Sequence, residues 1–159
     1  MFRSVIKNTA HRSKLSRMIG HTDYGRIEPL ATYILKTFDQ PLNAKVKAQI
    51  GGYNQVYLKE NCDPENVKIA HDRLMARSEK RKILFVLSDG AVANWGNNRV
   101  GRKYLKRLCA DIHKRSEVDL VGIGIGRSGV KHYYPNHVQL DDVSELPNEI
   151  FQQIKKFLG

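Results

Sequence analysis

Apolar residues along this chain of 159 residues fall into a few distinct rhythms. The clearest is Ile83-Leu84-Phe85-Val86-Leu87, five large apolar side chains in succession that run into Ser88-Asp89-Gly90. So short a run, without alternation, predicts a strand buried on both faces of a parallel sheet. A buried helix needs about 10 residues or more, and Gly90 interrupts the run too early. The strand carries Asp89 to its carboxyl end, the side on which open α/β sheets bind ligands. Val118 to Ile125 predicts a second buried strand, with glycines suited to close helix packing, and His137 to Asp141 a third, shorter one.

Between these runs the spacing changes to three and four. Ile27, Leu30, Ala31, Ile34, Leu35 and Phe38 share one helical face, with Pro29 in the first turn and Asp39-Gln40-Pro41 as the stop. Residues 43–50 add another turn or two, and 53–58 reads equally as helix or loop. Asp63 as cap and Pro64 at the first position start a helix whose inner face is Val67, Ala70, His71, Leu74 and Met75. A loop over 91–98 holds Trp95. Val100, Tyr104, Leu105, Leu108 and Ile112 predict the next helix, and Ser144 caps a last one with Leu146, Ile150, Phe151, Ile154, Phe157 and Leu158 inward. Residues 1–26 are less legible: Phe2 to Ile6 suits a strand with no local partner, and Leu15, Met18 and Ile19 a short surface helix ending at Gly20. From residue 64 the order is helix, strand, helix, strand, loop, strand, helix. Right-handed crossovers make that an α/β fold, a three-layer parallel sheet with helices on both faces.

Charge adds to this picture. The chain has 27 basic and 16 acidic side chains, a net +11. Residues 1–26 hold six of the basic groups and one acid, and residues 77–115 hold eleven against three. We therefore divide the chain into a basic N-terminal segment, 1–26, and a domain, 27–159. The imbalance points to a polyanionic partner, nucleic acid or an acidic protein. No apolar run approaches the ~18 residues of a membrane span and no signal-peptide core follows Met1. Cys62 and Cys109 lack the second pair of a zinc or disulfide framework, so a reduced, cytoplasmic pair of thiols is expected.

Several patterns bear on chemistry. Gly124-Ile-Gly-Arg-Ser-Gly129 fits the dinucleotide fingerprint, but that fingerprint needs a following helix to meet the pyrophosphate, and Val130 to Pro135 is too short and interrupted. Packing explains those glycines better. The six histidines form no ligand set, and His71 on an inner helix face reads as structural. Neither cysteine sits in a nucleophile elbow, so a self-contained hydrolase is not expected. Arg99, Arg102, Lys103, Lys106, Arg107 and Lys114 make the outer face of the 99–115 helix basic, which suits phosphates or is simply solvated. Asp89, beside Ser88, and Glu60, in the turn before the preceding helix, are oxygen ligands able to share a hard cation such as Mg2+. Asp89 equally suits bracing its own turn.

The stretch from Asn61 to Gly90, with Ala70-His-Asp-Arg-Leu-Met-Ala-Arg77, Lys80-Arg-Lys-Ile-Leu84 and Leu87-Ser-Asp-Gly90, resembles the C-terminal von Willebrand factor A domain of the cobaltochelatase T subunit (CobT). The resemblance continues through Glu117 to Gly126, Tyr133-Tyr134 and the Val143 to Leu158 helix, and more weakly back to Ile27. It implies a von Willebrand A-like fold and a metal-ion-dependent adhesion site built from three loops. Asp89 falls at the third-loop aspartate, and Glu60, with Asp63 nearby, at the second-loop position. The first loop, Asp-x-Ser-x-Ser, has no counterpart here, and Pro64 and Asn66 replace small residues. The domain is thus expected to be N-terminally incomplete, lacking its first strands. That would leave the Lys82–Ser88 strand as an open edge covered by the N-terminal residues, by another chain or homo-oligomer, or by the rest of a longer product. The implied role is non-catalytic, an accessory module that works with the AAA+ ATPase subunit of a chelatase complex inserting cobalt into a corrin precursor.

Overall fold

The two long apolar runs become neighbouring strands in a computed structural model that describes residues 4–8, 30–52, 62–91, 98–126 and 128–158. In chain order its elements are β1 (Ser4–Asn8), β2 (Leu30–Ile34), α1 (Ala44–Gly51), α2 (Asp63–Met75), β3 (Lys82–Ser88), α3 (Asn98–Arg115), β4 (Val118–Ile125), β5 (Asn136–Leu140) and α4 (Leu146–Leu158). Single 3-10 turns occupy Val130–His132 and Val143–Glu145. β3, β4 and β5 form a parallel sheet in that order, with Lys82 opposite Val118 and Val121 opposite Asn136.

Alternation along β4 sorts the core into two layers. Val118 and Leu120 join Val67 of α2 and Leu105, Cys109 and Ile112 of α3, with Leu84 and Val86 of β3 packed alongside. Val121 and Ile123 point the other way, with Leu140, toward Leu146, Ile150 and Phe157 of α4. Helices therefore cover both faces, and the expected three-layer α/β architecture is present. Each fully buried Leu, Ile or Val contributes about 1.5–3 kcal/mol of transfer free energy to these layers.

The glycines of β4 have a packing role. A Cβ at Gly122 would lie 2.3 Å from Cγ of buried Tyr134, and one at Gly124 would lie 1.8 Å from Ser128 Oγ. The loop after β4 is thus pressed flat onto the α2–α3 face of the sheet. Tyr134 is held there by its N–H to Val130 O (3.0 Å) and by His137 Nδ1 against its carbonyl (3.0 Å).

The N-terminal half departs from the sequence reading. Leu30 to Ile34 is a strand, not part of a 27–38 helix, and pairs antiparallel with Ser4–Asn8, Ser4 lying opposite Ile34. Thr32, Tyr33 and Ile34 favour a strand, and Pro29 before it is no obstacle at a strand start. Its partner is more than twenty residues away, so local periodicity could not reveal the pairing. Phe38 lies in the bends that follow, with the guanidinium carbons of Arg73 and Arg77 at 5.2 and 5.3 Å from its ring centre. Three smaller boundaries also shift. Cys62, not Asp63, occupies the cap position of α2 and makes no side-chain cap. The third strand is Asn136–Leu140, and Asp142, not Ser144, caps the turn entering α4 by accepting the Ser144 N–H at 2.8 Å. The predicted surface helix near Leu15 and the 53–58 segment lie outside the described residues.

Candidate metal and docking site at the carboxyl end of β3

β3 delivers Ser88 to the α2–α3 face at its carboxyl end, where the first turn of α2 arrives. Ser88 Oγ donates to Asp63 Oδ2 at 3.2 Å and accepts the Gly90 N–H at 3.0 Å. Asp63 is only 7 % exposed and Glu65, one residue beyond Pro64, only 3 %. Two acids in the first turn of a helix complement its positive end, which helps hold these carboxylates in a buried place. Burial raises the Cys109 thiol to about 12, with the negative charge of Asp63 adding to the effect.

Asp89 is exposed, and its Oδ1 accepts the Ala91 N–H at 2.9 Å, so the side chain braces its own turn. The chain then reverses at Gly90, with φ at +75°, a left-handed conformation that costs glycine nothing. A Cβ at Gly90 would stand 2.1 Å from Gly129 N. The Ser88–Gly90 turn is thus packed backbone to backbone against the loop that Gly122 and Gly124 admit. Sequence reasoning gathered Ser88, Asp63 and Asp89 but missed Gly129 and Glu65. The Asp63-Pro64-Glu65 run at a helix start was the available signal for Glu65.

The four residues proposed as ligands have different placements. Ser88 and Asp63 touch, Asp89 occupies the adjoining turn, and Glu60 lies outside the described residues. All are hard oxygen donors of the kind Mg2+ takes, so the chemistry fits. The number does not: Mg2+ wants about six oxygens, and among the described residues no group of three or more His, Cys, Asp or Glu side chains is close enough to hold a metal. Remaining ligands would have to come from outside the described residues, from water or from another chain.

The other candidates resolve differently. No helix follows Gly129, because Val130–His132 is one 3-10 turn, and within the fingerprint Gly124 accommodates Ser128 and Val130 while Gly129 lies against Gly90. A shallow cleft of about 280 Å³ lies there, lined by Gly126, Ser128, Lys131, His137 and Gln139. Its hydroxyl and amide are already bonded to each other, Ser128 Oγ to Gln139 Oε1 at 2.8 Å. His71 is structural as expected: its Nε2 bonds Ser116 Oγ at 2.9 Å, and Ser116 Oγ in turn accepts the Val118 N–H at 3.1 Å. On α3, Arg99, Arg102, Lys103, Lys106, Arg107 and Lys114 are exposed, opposite buried Val100, Leu105, Cys109 and Ile112, and Asp111 pairs loosely with Arg107 at 3.8 Å.

A family model described as the VWA domain of cobalamin biosynthesis protein CobT matches residues 4–159. The match takes in the β1–β2 pair as well as the parallel sheet. No solved structure matches the chain significantly.

Proposed function

The chain belongs to the family of the VWA domain of cobalamin biosynthesis protein CobT, and we propose that it is a non-catalytic docking module of a cobaltochelatase-like assembly. In this reading it presents the Ser88–Gly90 turn to an AAA+ ATPase subunit in the cytoplasm. The observation that supports it is the buried Asp63 carboxylate bonded to Ser88 at the carboxyl end of β3, beside an exposed Asp89 on a turn braced from two sides.

In this reading Asp63, Ser88, Asp89 and Glu60 would offer oxygen ligands to a divalent cation. The cation would supply a positive centre for a carboxylate of the partner. The chain's own contribution is positional. The Gly90–Gly129 contact fixes the turn, so ATP-driven motion of the partner passes to a rigid sheet and not to a loose loop. The test is binding of the purified AAA+ subunit in Mg2+ and in EDTA. Mg2+ should tighten the wild-type complex at least about tenfold and leave Asp89→Ala unaffected. Equal affinity in all four conditions would overturn the reading.

One observation favours a second reading, a nucleic-acid binder: the outer face of α3 exposes Arg102, Lys103, Lys106 and Arg107 with Asp111 as its one acid. Affinity for duplex DNA or RNA should then fall steeply with salt, and charge reversal at Arg102 and Lys106 should flatten the slope by about 2. No binding near physiological salt would remove it.

A further inference from the structure

The cleft of about 280 Å³ beside Gly126 sits where β4 ends, alongside β5, and shares no lining residue with the Ser88–Gly90 turn. Open α/β sheets bind ligands at this end of their strands. One wall is fixed before any ligand arrives. Ser128 Oγ donates to Gln139 Oε1 at 2.8 Å, the Gln139 amide nitrogen donates to the Gly126 carbonyl, and the Gly126 N–H bonds the Leu140 carbonyl at 2.8 Å. Those donors are used on each other, which leaves the cleft's chemistry to Lys131 and His137.

The state of His137 follows from one contact. Its Nδ1 lies 3.0 Å from the Tyr134 carbonyl, and a carbonyl oxygen only accepts, so Nδ1 carries the ring proton. In the neutral ring the lone pair is then on Nε2, the nitrogen left to the cleft that His137 lines, and Nε2 has no partner among the described residues. Lys131 is exposed and pairs with no acid among the described residues, and none of the described lining residues is acidic. A cation and a fixed hydrogen-bond acceptor therefore share a small cleft whose opposite wall is already braced.

We propose that this cleft binds a small organic acid bearing a hydroxyl group, with Lys131 taking the carboxylate and His137 Nε2 accepting the hydroxyl hydrogen. The lysine supplies attraction for the anion, and the histidine supplies selection, because a site arranged to bond a hydroxyl discriminates against the analogue that lacks it. The inference is independent of the docking role and of the cation.

The probes are tartrate and succinate, the same dicarboxylate with and without hydroxyls, titrated into the full chain in EDTA and followed by nitrogen–proton NMR. Tartrate should shift the signals of Lys131, His137 and Gln139 to saturation, and succinate should bind at least about tenfold more weakly. The His137 Nε2 resonance should move while the Nδ1 proton stays in place. Lys131→Met should weaken both acids at least about tenfold. His137→Asn keeps an amide donor for the Tyr134 carbonyl but removes Nε2, so it should bring tartrate down to the level of succinate and leave succinate unchanged. A purely structural histidine would not separate the two acids. Should His137→Asn fail to fold, the wild-type comparison and the exposed Lys131 still decide the matter. Binding should persist in Asp89→Ala, so failure of the docking reading would leave this one standing. Three results overturn it: no saturable shift at these residues, equal affinity for the two acids in the wild-type chain, or affinity unchanged by Lys131→Met.

Discussion

Replacing Gly122 by alanine tests whether the loop after β4 is held by the sheet. The added Cβ would meet Tyr134 Cγ at 2.3 Å, Cδ2 at 2.5 Å and Cβ at 2.8 Å. Ordinary contact lies near 3.5 Å, so the ring must retreat by about 1 Å. It has little freedom to do so, since its residue is tied on both sides by 3.0 Å hydrogen bonds and its side chain is 1 % exposed. Overpacking alone costs about 1–3 kcal/mol, and expelling the ring costs about 3–5 kcal/mol, the range for removing a buried aromatic. We expect roughly 3 kcal/mol. At that size the melting temperature falls by about 6–12 °C, and the urea midpoint falls by about 1.5 M at a slope near 2 kcal/mol per M. Urea unfolding followed by circular dichroism gives the number. The same substitution in a Tyr134→Ala background should cost less than about 1 kcal/mol, because the clashing ring is gone. A Gly122→Ala variant within about 0.5 kcal/mol of wild type, or equal costs in both backgrounds, would refute the packing account.

Three further outcomes follow from individual side chains. The Tyr134 hydroxyl is buried with no hydrogen-bond partner among the described residues, so Tyr134→Phe should stabilise the fold by about 1 kcal/mol in urea unfolding; a loss of that size would show a hidden partner. Glu79 is held by Arg77, whose guanidinium lies 2.8 Å away and draws its carboxyl from the ordinary 4.5 to about 2. A lowered folded value means that its contribution is complete above the unfolded value near 4.5 and is lost as pH falls through about 2. Carbon NMR should place the Glu79 midpoint near 2 and return it to the ordinary range in Arg77→Gln. Burial lifts the Cys109 thiol to about 12 and Cys62 is also buried, so at pH 8 an aromatic disulfide reagent should modify both only at the rate of unfolding. Rapid labelling of Cys109 in the folded chain would contradict its placement.

The parallel half of the fold was legible because its signals are local and its layers simple. Val118 to Ile125 is a strand over the whole predicted range, and each helix after residue 62 was visible in three-to-four spacing, since one face of each meets a sheet. The first half failed where the deciding interaction was distant. Leu30, Ala31, Ile34 and Leu35 satisfy a helical spacing, but Leu30 to Ile34 is settled by cross-strand pairing with Ser4–Asn8, and nothing within a ten-residue window records that partner. The cap of α4 moved from Ser144 to Asp142 for the opposite reason: both residues cap well, and an extra 3-10 turn decided between them.

The site was legible in type and not in geometry. Ser-Asp-Gly after an apolar strand predicts a turn at a sheet's carboxyl end, and the oxygen donors expected there do gather, Ser88 on Asp63 with Asp89 in the adjoining turn. What no motif announced is that glycines elsewhere hold that turn. Gly124 opens what looks like a phosphate fingerprint, yet it and Gly122 lack side chains so that Ser128, Val130 and Tyr134 can lie on the sheet. That placement brings Gly129 against Gly90. The Ser88–Gly90 turn is therefore set by β4 and its loop as much as by β3. A partner docking there would meet a surface fixed in advance, without the cost of ordering a loop.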